Sequence, residues 1–145
     1  MFETPMNQFD DTLTVQDHFE IQRLMTEYAF CDDNGNAERW ASLFTEDGTF
    51  VGLNKAPITG RDKLIAFAKK RWAEQPNVRK RAHWVGNIAI WPTSEGAEAK
   101  CYQMTVDRMA DGMHIHKLTG KLDELRRVAG KWRFHIRRTV EVTAE

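Results

Sequence analysis

The stretch Lys131-Trp-Arg-Phe-His-Ile-Arg-Arg-Thr-Val-Glu-Val142 decides the fold class of this chain. It is rich in aromatic and β-branched side chains, which is typical of a β-strand. Three earlier segments have the same character, at residues 83–91, 97–109 and 113–126. Turn sequences separate the segments at 92–96, 111–112 and 129–130. The C-terminal half therefore predicts four strands joined by hairpins.

The N-terminal half follows a helical repeat instead. Thr14 or Asp17 can cap a first helix, because a side-chain oxygen there accepts from the free backbone N–H groups. Its apolar positions recur every 3.6 residues, at Ile21, Leu24, Met25 and Tyr28. Asn34-Gly35-Asn36 ends this helix, since Gly and Asn tolerate the left-handed conformation.

Two more helices are predicted before the strands begin. A short one runs through Trp40, Leu43 and Phe44, and Asp47-Gly48 then turns into a strand at 49–51. Gly60-Arg-Asp62 opens the third helix and Pro76 stops it. Its apolar positions are Leu64, Ile65, Phe67, Ala68 and Trp72, whereas Lys69, Lys70 and Arg71 are expected to face water. A second basic cluster, Arg79-Lys-Arg81, is expected in a loop.

This order of elements predicts an α+β fold, with helices packed on one face of a curved antiparallel sheet. We expect a single domain over residues 14–145, preceded by a flexible N-terminal arm at 1–13, which is polar and lacks periodicity. An open bent sheet leaves an outer apolar face that needs covering. We therefore expect self-association.

Composition excludes several classes of function. The 145 residues carry 21 basic and 21 acidic side chains, so no excess positive charge indicates a nucleic-acid partner. No stretch approaches the ~20 apolar residues needed to cross a bilayer, and the acidic N-terminus lacks the apolar core of a secretion signal. Cys31 and Cys101 are too few for a disulfide framework. A cytoplasmic location is the expectation.

Five motifs, taken in order, resemble the SnoaL-like branch of the nuclear transport factor 2-like superfamily. They are Tyr28-Ala-(x3)-Asp33-(x2)-Asn36, Trp40-(x2)-Leu43-Phe44-(x2)-Asp47-Gly48, Gly60-Arg, His83-(x2)-Gly86-Asn87 and Gly130-Lys-Trp132-Arg-Phe134-(x2)-Arg137. The resemblance covers residues 14 to 140. It implies a cone-shaped barrel, in which N-terminal helices close a deep pocket inside a strongly curved antiparallel sheet.

The pattern is most similar to scytalone dehydratase, the bile-acid dehydratases and the lindane dehydrochlorinase. That resemblance implies a cofactor-independent lyase with an Asp–His dyad, here Asp33 and His83, and Tyr28 as a catalytic pocket residue. Helical periodicity alone favours Asp32, four residues after Tyr28, as the carboxylate that faces the pocket. A carboxylate beside an imidazole forms a base whose strength the protein can tune.

Six further residues are expected to bind substrate. They are His116, Trp40, Phe50, Trp84, Met104 and Arg126, which with Phe67 predict a dry pocket for a small hydrophobic, aromatic or polycyclic substrate. His116 corresponds to a substrate-contacting histidine in the resemblance. An unbroken strand would place Arg126 on the face of His116, whereas a bulge at Gly120 would reverse this parity.

Several alternatives remain open at the level of sequence. His114 and His116 share a strand face and could bind zinc, with Asp107 or His135 as a third ligand, but we expect no metal and no cofactor. The reaction could be an isomerisation of the ketosteroid-isomerase type. The chain could also be a non-catalytic binding or assembly subunit. The partners expected are the substrate and further copies of the chain, as a homodimer or homotrimer.

Overall fold

The computed structural model describes residues 12–74 and 80–142. Its helices are α1 (Val15–Asn34), α2 (Ala37–Ser42) and α3 (Arg61–Glu74), and its strands are β1 (Phe44–Val51), β2 (Ile58–Thr59), β3 (Arg81–Thr93), β4 (Gly96–Met109), β5 (Gly112–Val128) and β6 (Lys131–Glu141). The proposed arm at 1–13, apart from residues 12 and 13, and the stop at Pro76 lie outside the described residues.

Helix α1 begins and ends where local chemistry dictates. Thr14 is the N-cap, and Asp17 completes a capping box by accepting from the Thr14 backbone N–H at 2.9 Å. The helix ends at Gly35, whose φ of 67° is left-handed. Its buried face includes Ile21 and Met25, which pack on the sheet.

The second helix is shorter than the sequence predicts. Asn36 caps α2 by accepting from the Arg39 N–H, and the helix ends at Ser42. Leu43 and Phe44 therefore fall outside it. The Leu43 carbonyl accepts from the Phe134 N–H at 3.0 Å, so pairing with β6 draws the chain into strand β1.

The six strands form one strongly curved sheet in the order β2-β1-β6-β5-β4-β3. The four C-terminal strands are antiparallel neighbours, as the sequence predicts. Strands β1 and β6 are parallel, so the sheet is mixed rather than wholly antiparallel. Pro92 and Thr93 continue β3, which leaves a turn at residues 94 and 95.

Irregular pairing changes which side chains face the helices. The register shifts between β4 and β5 after Thr105 pairs with Lys117, and between β5 and β6 after Glu124 pairs with Ile136. Each extra residue reverses the inward and outward alternation of its strand. The first shift turns Thr119, Lys121 and the residues that alternate with them inward, and the second brings Arg137 inward.

Aromatic rings fill the space between the helices and the sheet. Trp40 is wholly buried at the centre, with its ring centroid 5.1 Å from that of Phe44 and 5.5 Å from that of Phe50. Tyr28 packs edge-on to Phe134 at 5.6 Å. Among the described helices, none is long and apolar enough to cross a membrane.

Candidate active site

A cavity of about 260 Å³ lies between the helices and the inner face of the sheet. Its lining residues are Tyr28, Asp32, Phe50, Gly52, Leu53, Lys55, Phe67, Arg71, Arg81, His83, Gln103, Thr105, His116, Lys117, Thr119, Lys121 and Thr139. Both the end of α1 and the start of β3 contribute to it. These two segments carry the catalytic residues expected from the sequence, Tyr28 and Asp33 on α1 and His83 on β3.

Asp33 and His83 lie in direct contact. The His83 Nδ1 atom is 2.6 Å from Asp33 Oδ1, and the His83 backbone N–H donates to both carboxylate oxygens at 3.1 and 3.2 Å. The side chains are 7% and 19% exposed. Because Asp33 is an acceptor, we assign the proton to Nδ1, which leaves Nε2 as the free lone pair. Only His83 of the pair lines the cavity, with Asp33 behind it.

Asp32 is the carboxylate that faces the cavity, as helical periodicity favours. Its Oδ1 accepts from the Arg71 guanidinium at 2.5 Å and from the Trp72 indole at 3.2 Å. Its Oδ2 lies 3.7 Å from His83 Nε2. Burial opposes its ionisation, but the positive charge of Arg71 and the hydrogen bonds from Arg71 and Trp72 hold the pKa of Asp32 below its usual range. The imidazole therefore lies between two consecutive aspartates, one on each nitrogen.

Tyr28 is buried and lines the same cavity as Asp32 and His83. The Arg137 guanidinium lies over its ring, 4.3 Å from the centroid. Burial raises the pKa of Tyr28 to about 12, although the charge of Arg137 works in the opposite direction. The phenol is therefore a proton donor at neutral pH.

Three charged side chains below the cavity were not expected from the sequence. Arg137 donates to Asp123 at 2.8 Å with both side chains wholly buried, and Lys121 lies next to them with Nζ on Thr139 Oγ1 at 2.7 Å. Burial raises the pKa of Asp123 to about 6. Burial, with help from Arg137, lowers the pKa of Lys121 to about 7. One signal in the sequence could have indicated two of them. Lys121 and Asp123 alternate with Leu125 on β5, so they share the strand face of a buried residue.

The low pKa of Lys121 predicts that the free energy of unfolding rises between about pH 7 and 10. Between the folded value of about 7 and the ordinary value of 10.5, the unfolded chain holds a proton that the folded chain does not. Raising the pH therefore favours the folded state, on the order of 3 kcal/mol over the window. Urea unfolding at several pH values measures the slope. Lys121→Met should flatten it, and an equal slope in both proteins would contradict the assignment.

The mouth of the cavity is polar. Arg81 donates to Asp107 at 2.6 Å, and His116 Nδ1 lies 3.5 Å from the same carboxylate. His114 bonds Asp111 at 2.8 Å instead. No group of three or more possible metal ligands occurs among the residues that the structure describes.

Four of the expected substrate-binding residues lie outside the cavity. Trp40 is in the core, and Arg126 is on the outer side, where it pairs with Glu95 at 2.7 Å. Trp84 and Met104 face outward together as a cross-strand pair. The strand bulge occurs at His116 and Lys117 rather than at Gly120, so His116 lines the cavity while Arg126 does not.

The expectations about basic side chains also need correction. Lys69 and Lys70 are exposed, but Arg71 turns inward to Asp32. Arg81 belongs to strand β3 and to the cavity wall, not to a loop. Phe50 and Phe67 do line the cavity, yet most of the lining is polar. The prediction of a dry aromatic pocket is therefore wrong in its main feature.

Comparisons with known proteins give a family pattern and a fold. The pattern of the SnoaL-like domain matches residues 13–138. A comparison with curated proteins finds no match.

Among solved structures, an NTF2-like protein with a cystatin-like fold from Novosphingobium aromaticivorans is 22% identical, covering 90% of this chain and 85% of its own, with a TM-score of 0.80. A protein of unknown function from Mycobacterium tuberculosis is 27% identical, with coverages of 86% and 70% and a TM-score of 0.75. A Catenulispora acidiphila protein in complex with S-DNPA is 22% identical, with coverages of 87% and 95% and a TM-score of 0.77.

Proposed function

Since the chain belongs to the SnoaL-like domain family of the NTF2-like superfamily, we propose that it is a cofactor-independent lyase that removes a carbon-bound proton from a small molecule. The observation that carries the proposal is the 2.6 Å contact of Asp33 with Nδ1 of His83, a residue that lines the cavity. The small-molecule complex of the Catenulispora acidiphila protein supports a small-molecule ligand.

His83 is the general base in this mechanism. Its Nε2 takes the C–H proton, while Asp33 holds the ring orientation and stabilises the imidazolium that forms. Asp32 lies 3.7 Å from Nε2 and adds a second negative charge beside the new N–H. A positioned base is worth about 10²–10⁴ in rate.

Tyr28 is the general acid. Its raised pKa keeps the phenol protonated, so it donates to a departing hydroxyl or to a carbonyl oxygen on the substrate. The C–H electron pair forms the new double bond as the carbon–oxygen bond breaks. The products are an unsaturated compound and water, and return of the proton from His83 to Tyr28 through solvent restores both groups.

The proposal can be tested without the natural substrate. We expect the protein to accelerate the base-catalysed ring opening of 5-nitrobenzisoxazole, an elimination that begins with removal of a carbon-bound proton. Absorbance of the nitrophenolate product follows the reaction. A rate no higher than that of free imidazole at equal concentration would contradict the proposal.

Isomerisation by a carboxylate base is the weaker alternative. Asp32 is the carboxylate in the cavity wall, but it accepts two hydrogen bonds and its pKa is lowered. Those contacts make it a poor base. A purely structural subunit is disfavoured because a cavity remains open beside His83.

We also propose that the outer face of the sheet mediates a homodimer or homotrimer. Trp84 and Leu118 are 70% and 48% exposed, and both pair with Met104 in register, so they form one apolar row. Trp84→Glu should shift the protein to monomer in analytical ultracentrifugation, because a charge in that row is costly to bury. Val15→Glu, at an exposed site on α1, is the control. A monomeric parent protein would contradict this proposal.

A further inference from the structure

The geometry points to a substrate that carries a carboxylate, bound at the inner end of the cavity by Lys121. This inference rests on the proposed function only for the position of the reacting carbon, near His83. It extends that function by naming the chemical class of the ligand.

The cavity wall carries more basic than acidic side chains. Five basic side chains line the cavity, namely Lys55, Arg71, Arg81, Lys117 and Lys121, against the single carboxylate of Asp32. Arg71 is neutralised by Asp32, and Arg81 by Asp107. Lys117 and Lys121 form no ion pair with a carboxylate of the described residues. The cavity therefore has positive charge that the protein leaves for a ligand to neutralise.

Lys121 has hydrogen-bonding capacity that the described side chains leave unused. Its side chain is buried, and Nζ donates to Thr139 Oγ1 alone among the described side chains, although a protonated amine has three donors. An unpaired buried polar group costs about 1–3 kcal/mol, so a polar ligand group here would relieve that cost.

The Lys121 end of the cavity suits a ligand group with a single negative charge. The Asp123 carboxylate already pairs with Arg137, which leaves one amine at this end of the cavity. The Phe50 ring lies 5.9 Å from Lys121 Nζ and bounds the subsite with apolar surface. One amine balances the single charge of a carboxylate, whereas a doubly charged phosphate would keep an uncompensated charge.

Calorimetric titration with three probes, trans-cinnamate, cinnamamide and phenyl phosphate, tests the inference. We expect trans-cinnamate to bind at least about tenfold more tightly than cinnamamide, which has the same shape without the charge. Lys121→Met should abolish this preference, and Lys63→Met, at an exposed site on α3, should preserve it.

Three outcomes would overturn the inference: equal or unmeasurable binding of the two probes, an unchanged preference in Lys121→Met, or tighter binding of phenyl phosphate than of cinnamate. Failure of the proposed function is distinguishable from this. A His83→Gln protein should lose elimination activity and keep the cinnamate preference. A protein without elimination activity that still prefers cinnamate refutes the lyase and supports the carboxylate subsite.

Discussion

Replacing His83 with glutamine should lower kcat/KM for 5-nitrobenzisoxazole by about 10²- to 10⁴-fold, because an amide cannot accept the carbon-bound proton. The fold should survive the change. Asp33 still accepts from the backbone N–H of residue 83, so a single side-chain hydrogen bond is lost, worth about 1 kcal/mol. Stopped-flow absorbance gives the rate, and a thermal melt checks the fold.

Variants of three other residues test whether His83 is the side chain that removes the proton. His114→Gln is the matched control, because His114 bonds Asp111 at the surface and lies outside the cavity lining. Asp33→Asn should also lose most activity, since an amide can donate to Nδ1 and move the proton to Nε2. Asp32→Asn should cost less, because Asp32 does not set the tautomer. Normal turnover in the His83 variant would rule the mechanism out.

Replacing Arg137 with methionine should lower the free energy of unfolding by about 3–5 kcal/mol. The guanidinium is wholly buried, donates to Asp123 at 2.8 Å and stacks on Tyr28 and Phe134 at 4.3 and 4.5 Å from their ring centroids. Its loss leaves a buried carboxylate without its main counter-charge, which is strongly destabilising. Urea unfolding followed by circular dichroism measures the difference.

The next residue on the same strand provides the control. Arg138 is exposed, so Arg138→Met should change the free energy of unfolding by less than about 0.5 kcal/mol. The double variant Arg137→Met with Asp123→Leu should recover a large part of the loss, because it removes both charges together. A single Arg137→Met variant as stable as Arg138→Met would show that the pair contributes nothing net.

Local signals in the sequence were sufficient for most of the fold. The capping box at Thr14 and the left-handed Gly35 depend on neighbouring residues only, so the limits of α1 were predictable. The four long strands follow from their composition and turns. The parallel pairing of β1 with β6 was not predictable, because it joins segments distant in the chain and has no local signature.

The candidate site was only partly predictable for the same reason. Asp33, His83 and Tyr28 stand out in sequence motifs. In the structure Asp33 contacts His83, and both His83 and Tyr28 line the cavity. Arg71 was assigned to a solvated helix face, since its helix carries three consecutive basic residues. Only the tertiary contact of Arg71 and Trp72 on α3 with the end of α1 shows that one of them meets Asp32. Trp84 and Met104 were assigned inward, because an aromatic or thioether side chain on a strand gives no sign of its face.

The sequence alone determined the limits of α1 and the four long strands with their turns, and its family resemblance singled out Asp33 and His83 as the candidate dyad. Tertiary structure decided the chemistry of the cavity. One extra residue near His116 reverses the inward and outward alternation of side chains on β5. Lys121 and Asp123 therefore face the cavity side of the sheet, whereas Arg126 faces outward. Side chains alternate with a period of two residues, so a single bulge exchanges the two faces of a strand beyond it. Pairing between strands, not local composition, places that bulge.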